Sequence, residues 1–275
     1  MSESTTPAAQ APRKVVARLL EGGQVLHLLI DNPKGNVLSL EVMEALRAAL
    51  VAHRTDPAFR HLRAVFLQGA NGQFSFGASV EEHRPAQAAG MLAGFHALIR
   101  EMAEYPTPIV ALVEGRCLGG AFEVILACHF VMATNNAQLG CPEIRLGVFP
   151  PVLAALGPIR LGGALSERLM LTGDTIGVEG LERCGVLTTR LPDSNNDDVL
   201  QASLTWYRRT LAGLSAFALR QTTQAARKHP VYQMALHGAL DALERQYVEQ
   251  VVPSHDGTEG IAAFIDRRSP RWEDT

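Results

Sequence analysis

Three short apolar runs, set apart by helix-length stretches, constrain this chain most. Val25-Leu26-His27-Leu28-Leu29-Ile30, Arg63-Ala64-Val65-Phe66-Leu67-Gln68 and Ile109-Val110-Ala111-Leu112-Val113 each have the length and apolar character of a strand. The first ends at the turn signal Asp31-Asn32-Pro33, and the second closes on Gly69-Ala70-Asn71-Gly72. Between them Leu40, Val42, Met43, Leu46 and Leu50 fall at helical spacing, with Ser39 placed as an N-cap. A second helical stretch runs from about Ala86 to Tyr105, where Pro106 and Pro108 stop it. Strands alternating with helices imply an α/β fold with crossover connections. From about Ser166 the pattern is mostly helical, including Val199 to Arg227 and Val231 to Val252. The chain therefore divides into a polar tail at 1–13, an α/β core at 14–197 and a helical C-terminal region at 198–275.

Composition removes several classes of function. Of 275 residues, 47% are hydrophobic and 19% charged, which suits a packed globular chain and not a disordered one. The net charge of −3 argues against a nucleic-acid binder, while leaving room for a few cations that hold a phosphorylated small molecule. No run approaches the ~18 consecutive apolar residues of a membrane span. The N-terminus is small and polar without an apolar core, so it reads as a disordered tail and not a secretory signal, and the expected location is the cytoplasm. Cys117, Cys128, Cys141 and Cys184 form no CxxC, and no HExxH is present. We therefore expect buried thiols, with no disulfide scaffold and no metal site. Neither a GxG dinucleotide fingerprint nor a GxxxxGK[ST] phosphate loop occurs, and Ser79 lacks the second glycine of a nucleophile elbow.

Chemistry concentrates in two loops and two carboxylates. In Val113 to Cys128 a buried strand runs into Gly119-Gly120, and an apolar helix follows. Glycines there allow close backbone approach, and the unpaired N–H groups at a helix start suit an oxyanion. A tight turn chosen only for packing would read the same way. Phe74-Ser75-Phe76-Gly77-Ala78-Ser79 leaves the other strand similarly, so the two exits could bring two N–H groups onto one oxygen. Glu123 is the lone carboxylate of its apolar helix, and Glu143 follows Pro142 in an apolar turn. Two carboxylates on one pocket push their pKa values apart and furnish a base and an acid. The alternative for each is a helix cap or a salt bridge, with Arg116 or Arg145 as partner.

With these residues the chain resembles the crotonase (enoyl-CoA hydratase/isomerase) superfamily from about Val15 to Trp272. The pieces that carry the resemblance are Asn32-Pro33-Lys34-Gly35-Asn36, Phe74-Ser75-Phe76-Gly77-Ala78, Gly119-Gly120-Ala121-Phe122-Glu123, Cys141-Pro142-Glu143, Leu171-Thr172-Gly173-Asp174 and the closing Glu259 to Arg268. The resemblance implies a spiral of ββα turns with a C-terminal helical oligomerisation region, assembled as a homotrimer or a dimer of trimers. It also implies an acyl-CoA thioester as substrate, with no further cofactor. The backbone N–H groups of Ala78 and Gly120 would form the oxyanion hole, and Glu123 and Glu143 match the two glutamates of the hydratase branch. Lys34 would lie near the CoA phosphates, and Phe264 and Arg267 match positions that can reach a neighbouring subunit's CoA.

Several positions depart from the simple hydratases. Ser79 and Glu81 stand where an acid and a lysine are common, and Cys128-His129 replaces Cys-Asp. The bulky Leu146 to Gly157 segment replaces a glycine-rich loop. These features look most like the branch that hydrates cyclohexa-1,5-diene-1-carbonyl-CoA to 6-hydroxycyclohex-1-ene-1-carbonyl-CoA in anaerobic aromatic degradation. Three rivals remain at this point: an aliphatic enoyl-CoA hydratase, a ring-opening hydrolase of a cyclic oxo-acyl-CoA, and a non-catalytic acyl-CoA-binding protein. Among the histidines, His83 follows the oxyanion loop and could line the pocket.

Overall fold

The structure is a computed structural model that describes residues 14–275; the expected tail at 1–13 lies outside the described residues. Among the described residues, nine strands form two sheets. The strands are β1 (Val15–Leu20), β2 (Val25–Ile30), β3 (Ala64–Gly69), β4 (Ile109–Val113), β5 (Arg116–Leu118), β6 (Phe130–Thr134), β7 (Gln138–Gly140), β8 (Thr175–Gly177) and β9 (Leu187–Leu191). The larger sheet has the order β1-β2-β3-β4-β6-β9, with only the β1–β2 pair antiparallel. The smaller sheet has the order β5-β7-β8. Parallel neighbours need crossovers. Helix α1 (Leu40–Thr55) bridges β2 to β3, and α2 (Pro85–Ala103) bridges β3 to β4.

Strand alternation divides the core in two. Leu26, Leu28, Val65, Leu67, Ile109 and Ala111 join one apolar cluster with α1, α2 and α3 (Gly120–Ala127). Val25, Ala64, Phe66, Val110 and Leu112 point into the other. That second cluster is closed by α7 (Asn196–Thr210), where Tyr207 meets Phe66 edge-on at 6.5 Å. A strand buried on both faces is why these runs read as almost uniformly apolar. His27 is tolerated inside because its Nε2 lies 3.0 Å from Gln68 Oε1.

The remaining helices are α4 (Pro151–Arg160), α5 (Gly163–Thr172), α6 (Val178–Arg183), α8 (Ala216–Arg227), α9 (Pro230–Met234), α10 (Leu240–Gln246) and α11 (His255–Ile265). The stretch Val199 to Arg227, expected to be helical, is two helices, α7 and α8. Ser215 ends the break by accepting from Ala218 N as the cap of α8. The second expected helix runs on through two π turns, Ala235–Ala239 and Tyr247–Val251. Ser39 occupies the N-cap position of α1, but its side chain makes no capping bond. The Leu40 N–H donates instead to Glu82 Oε2 at 2.9 Å, which ties the helix start to the segment after the Phe74–Ser79 loop. Of the four cysteines, Cys117, Cys128 and Cys141 are buried and Cys184 is only half-buried.

The cluster around Phe66 lies on the sheet face away from α2 and α3, so packing there can be tested without touching the site. Phe66→Ala is expected to lower the unfolding free energy by about 3–5 kcal/mol in urea titrations. Turnover per folded molecule should be unchanged.

Candidate active site

The loop after β3 is held by backbone bonds on both sides. Phe74 N donates to Glu114 O at 2.7 Å, Ser75 N to Arg116 O at 3.0 Å, and Leu118 N returns to Ser75 O at 3.0 Å. On its other side Leu38 N donates to Gly77 O, Ser79 N to Leu38 O, and Phe76 N to Gly35 O. The Asn32 to Asn36 segment thus braces this loop, and the Asn36 amide donates to the carbonyls of both Ala70 and Gln73. Gly77 has φ +100°, and a Cβ there would sit 2.6 Å from Leu118 O, so only glycine fits.

The second loop meets the first at the start of α3. Gly119 has φ 54° and donates its N–H to Gly140 O at 2.8 Å. The next N–H, that of Gly120, has no helical partner because it opens the helix. A Cβ built on Gly120 would lie 3.4 Å from the Ala78 nitrogen, and one on Gly77 3.4 Å from the Gly120 nitrogen. The Ala78 and Gly120 N–H groups are therefore neighbours, and neither donates to an acceptor among the described residues. The glycine pair does more than close a turn, because it leaves one donor directed beside another at the positive end of a helix.

Both carboxylates open onto the same space. Glu123 is 3% exposed, and its Oε1 accepts from Val152 N at 2.6 Å and Leu153 N at 2.9 Å, at the start of α4. Glu143 sits in the turn Pro142–Leu146, and a Cβ on Gly119 would come 2.7 Å from its Oε1. Gly119 is thus glycine for two reasons, its φ and the room Glu143 needs. Burial raises the pKa of Glu123, opposed by the two N–H donors. Burial also raises that of Glu143, and the Glu123 charge adds to the rise. Neither carboxylate meets an arginine among the described residues: Arg145 faces Asp174 at 3.8 Å, and Arg116 lies over the Phe76 ring. The salt bridges to Arg116 and Arg145 are thereby excluded for both glutamates.

Ala78, Gly120, Glu123 and Glu143 line one cavity of ≈ 280 Å³. Its other walls are mostly apolar, among them Phe95, Phe149, Pro150 and Pro151. The Leu146 to Gly157 segment therefore forms a wall of the site and also the stiff start of α4. Phe264 lines this same cavity in its own chain. Helix α11 can approach because Gly260 has no side chain: a Cβ there would collide with Leu146 O. Lys34 is exposed, next to Gly35, on which the cavity residue Phe76 packs. Arg267, just beyond the end of α11, is exposed and does not line the cavity. Its neighbour Arg268 is engaged by Glu259 at 2.5 and 2.8 Å.

His83 does line the cavity. It donates from Nδ1 to Ser79 O at 2.7 Å, and burial lowers its pKa, so it is a neutral ring with its proton on Nδ1. Arg116 and Tyr247 also line the cavity, a role that sequence reasoning misses. Arg116 could be noticed as a charge between a buried strand and a glycine-rich loop. Tyr247 lies within a long helical pattern and carries no local signal.

The comparisons with known proteins agree with this geometry. The family model for enoyl-CoA hydratase/isomerase matches residues 21–275. The chain belongs to the enoyl-CoA hydratase/isomerase family. It is 41% identical over 266 residues to cyclohexa-1,5-dienecarbonyl-CoA hydratase of Thauera aromatica, covering 96% of this chain and 98% of that one. It is 28% identical to the carnitinyl-CoA dehydratase of Proteus mirabilis, covering 91% and 95%. Among solved structures, an enoyl-CoA hydratase from Mycobacterium avium subsp. paratuberculosis superposes with a TM-score of 0.80 at 25% identity, over 95% of this chain and 99% of that one. The chain is accordingly an acyl-CoA hydratase, a hydro-lyase with the crotonase-type α/β fold. No helix among the described residues is long and apolar enough to cross a membrane.

The site of this family member is held against the preference of its own carboxylates. A raised folded-state pKa means that Glu143 favours the fold when protonated, below about pH 4. That contribution is lost as pH rises through the raised value. Glu143→Gln removes the loss. The variant should be more stable than the wild type at neutral and alkaline pH, and the difference should shrink toward zero near pH ~4. Urea midpoints measured across that range test it.

Proposed function

We propose that this enzyme adds water to cyclohexa-1,5-diene-1-carbonyl-CoA to give 6-hydroxycyclohex-1-ene-1-carbonyl-CoA, within anaerobic aromatic (benzoyl-CoA) degradation. The observation that carries this reading is one cavity lined by two adjacent N–H groups without a partner among the described residues and by two carboxylates, of the buried Glu123 and the half-buried Glu143, within largely apolar walls. The likeness to the Thauera aromatica enzyme along nearly the full length of both chains supports the choice of acyl group.

The thioester oxygen accepts from the Ala78 and Gly120 N–H groups. Water between the carboxylates attacks the β-carbon, and charge flows to the thioester oxygen, where the donors already point. One such donor contributes on the order of 3 kcal/mol to lowering the barrier. Glu123 acts as base, since two backbone N–H groups favour its ionised form. Glu143 acts as acid, since burial and the Glu123 charge favour its protonated form. The diene extends the enolate, so the proton enters at the far end of the conjugated system, a 1,4-addition. Phe149, Pro150 and Pro151 suit a flat ring because they offer a rigid apolar wall.

Lys34, Phe264 and Arg267 belong to CoA binding in this reading. Phe264 supplies apolar surface beside the acyl group, and the two exposed cations suit the phosphates. CoA arrives as part of the substrate, and no separate cofactor is required. The proposal includes action in the cytoplasm and assembly as a homotrimer or a dimer of trimers. Exposed apolar side chains such as Phe217 and Met234 support self-association.

Incubation with cyclohexa-1,5-diene-1-carbonyl-CoA in oxygen-18 water, with crotonyl-CoA in parallel, tests the substrate by mass spectrometry. Labelled product from the cyclic diene, with little from crotonyl-CoA, is expected; labelled product from crotonyl-CoA alone would move the enzyme to aliphatic substrates. Glu123→Gln and Glu143→Gln are each expected to lose at least about 100-fold in turnover. Near-normal turnover in either would overturn the two-carboxylate mechanism.

A further inference from the structure

Two residues that line the active-site cavity each carry a buried polar atom with no hydrogen-bond partner among the described residues. These atoms are Glu143 Oε2 and the Tyr247 hydroxyl. Unpaired buried groups of this kind are destabilising, and a tyrosine hydroxyl inside a protein normally finds a partner. The other unpaired buried atoms of the described residues belong to side chains that do not line this cavity.

Tyr247 is 2% exposed and held firmly. Its ring meets Phe149 at 5.3 Å in an edge-on arrangement and His83 at 6.4 Å. It opens the π turn Tyr247–Val251, a local widening of the helix of the sort that recurs at functional sites. Burial and the charges of Glu143 and Glu123 all resist its ionisation, so it remains a hydroxyl throughout the working pH range. His83 faces it as a neutral ring and offers it no charge.

A phenol that can donate and a carboxyl oxygen that can accept are together complementary to a group that does both. Water and a hydroxyl do; a hydrocarbon does neither. Resting on the hydration reading above, we propose that Tyr247 and Glu143 form a subsite for the oxygen that is added to the substrate. Tyr247 donates to that oxygen, and Glu143 accepts its proton in a hydrogen bond. Tyr247 is thus a binding residue for the hydroxylated acyl group and sets a preference for hydroxylated over hydrocarbon acyl chains.

The test compares Tyr247→Phe with its parent, both in a Glu123→Gln background that holds turnover low. Calorimetric titration with 6-hydroxycyclohex-1-ene-1-carbonyl-CoA and with cyclohexanecarbonyl-CoA reads the hydroxyl separately from the ring. Tyr247→Phe is expected to weaken the hydroxylated ligand roughly 10-fold, as loss of one good hydrogen bond would. Affinity for the hydrocarbon ligand and the thermal midpoint should be unchanged or slightly higher. Equal weakening of both ligands, or of neither, would overturn the role of Tyr247. If the parent binds neither cyclic thioester, the choice of acyl group fails instead, and the same comparison with 3-hydroxybutanoyl-CoA and butanoyl-CoA then decides on Tyr247.

Discussion

The site depends on how Gly119 is seated. Its positive φ turns the chain from β5 into α3, and its N–H is taken by Gly140 O, leaving the Gly120 N–H free. Its missing side chain is the space that the Glu143 carboxylate occupies. A side chain at this position would strain the backbone and displace the carboxylate together. The donor at Ala78 is placed in a similar way, since Gly77 lets its loop run against Leu118 O. One close approach between two loops thereby fixes both donors and the carboxyl group that faces them.

The electrostatics follow from where these loops lie. Glu123 is in the first turn of a helix that is otherwise apolar, and the N–H groups at the start of α4 stabilise its charge. Glu143 has only its own backbone N–H and the Cys141 thiol to oppose the effect of burial, and it feels the Glu123 charge. Two chemically identical groups thus differ in how readily they ionise, through unequal solvation and through one another.

Much of this was legible in the sequence. The runs at Val25, Arg63 and Ile109 are strands, and they are apolar on both faces because two separate clusters pack on the sheet. Gly119-Gly120 and Glu123 share a short segment, so their relation is local and visible. What was not legible was equally physical. Ser39 is the N-cap of α1, as its position in the sequence suggests, but the sequence does not show that Glu82, distant along the chain, takes the Leu40 N–H. The stretch from Val199 to Arg227 keeps helical spacing across a break that Ser215 re-caps. Tyr247 gave no signal, because a tyrosine in a helical pattern looks the same whether it faces core or cavity.

By itself the sequence determined the α/β alternation, the two glycine-bearing loops and the two glutamates, since each is encoded by neighbours within a few residues. Only the tertiary structure decided that Glu123 and Glu143 share a cavity, that neither meets Arg116 or Arg145, and that Phe264 from the last helix closes on the same space. It also decided that Tyr247 stands beside them with its hydroxyl unpaired. The reason is distance along the chain: hydrogen bonds and packing inside one turn or loop leave a local pattern, whereas the juxtaposition of separate elements is set by the whole core packing at once.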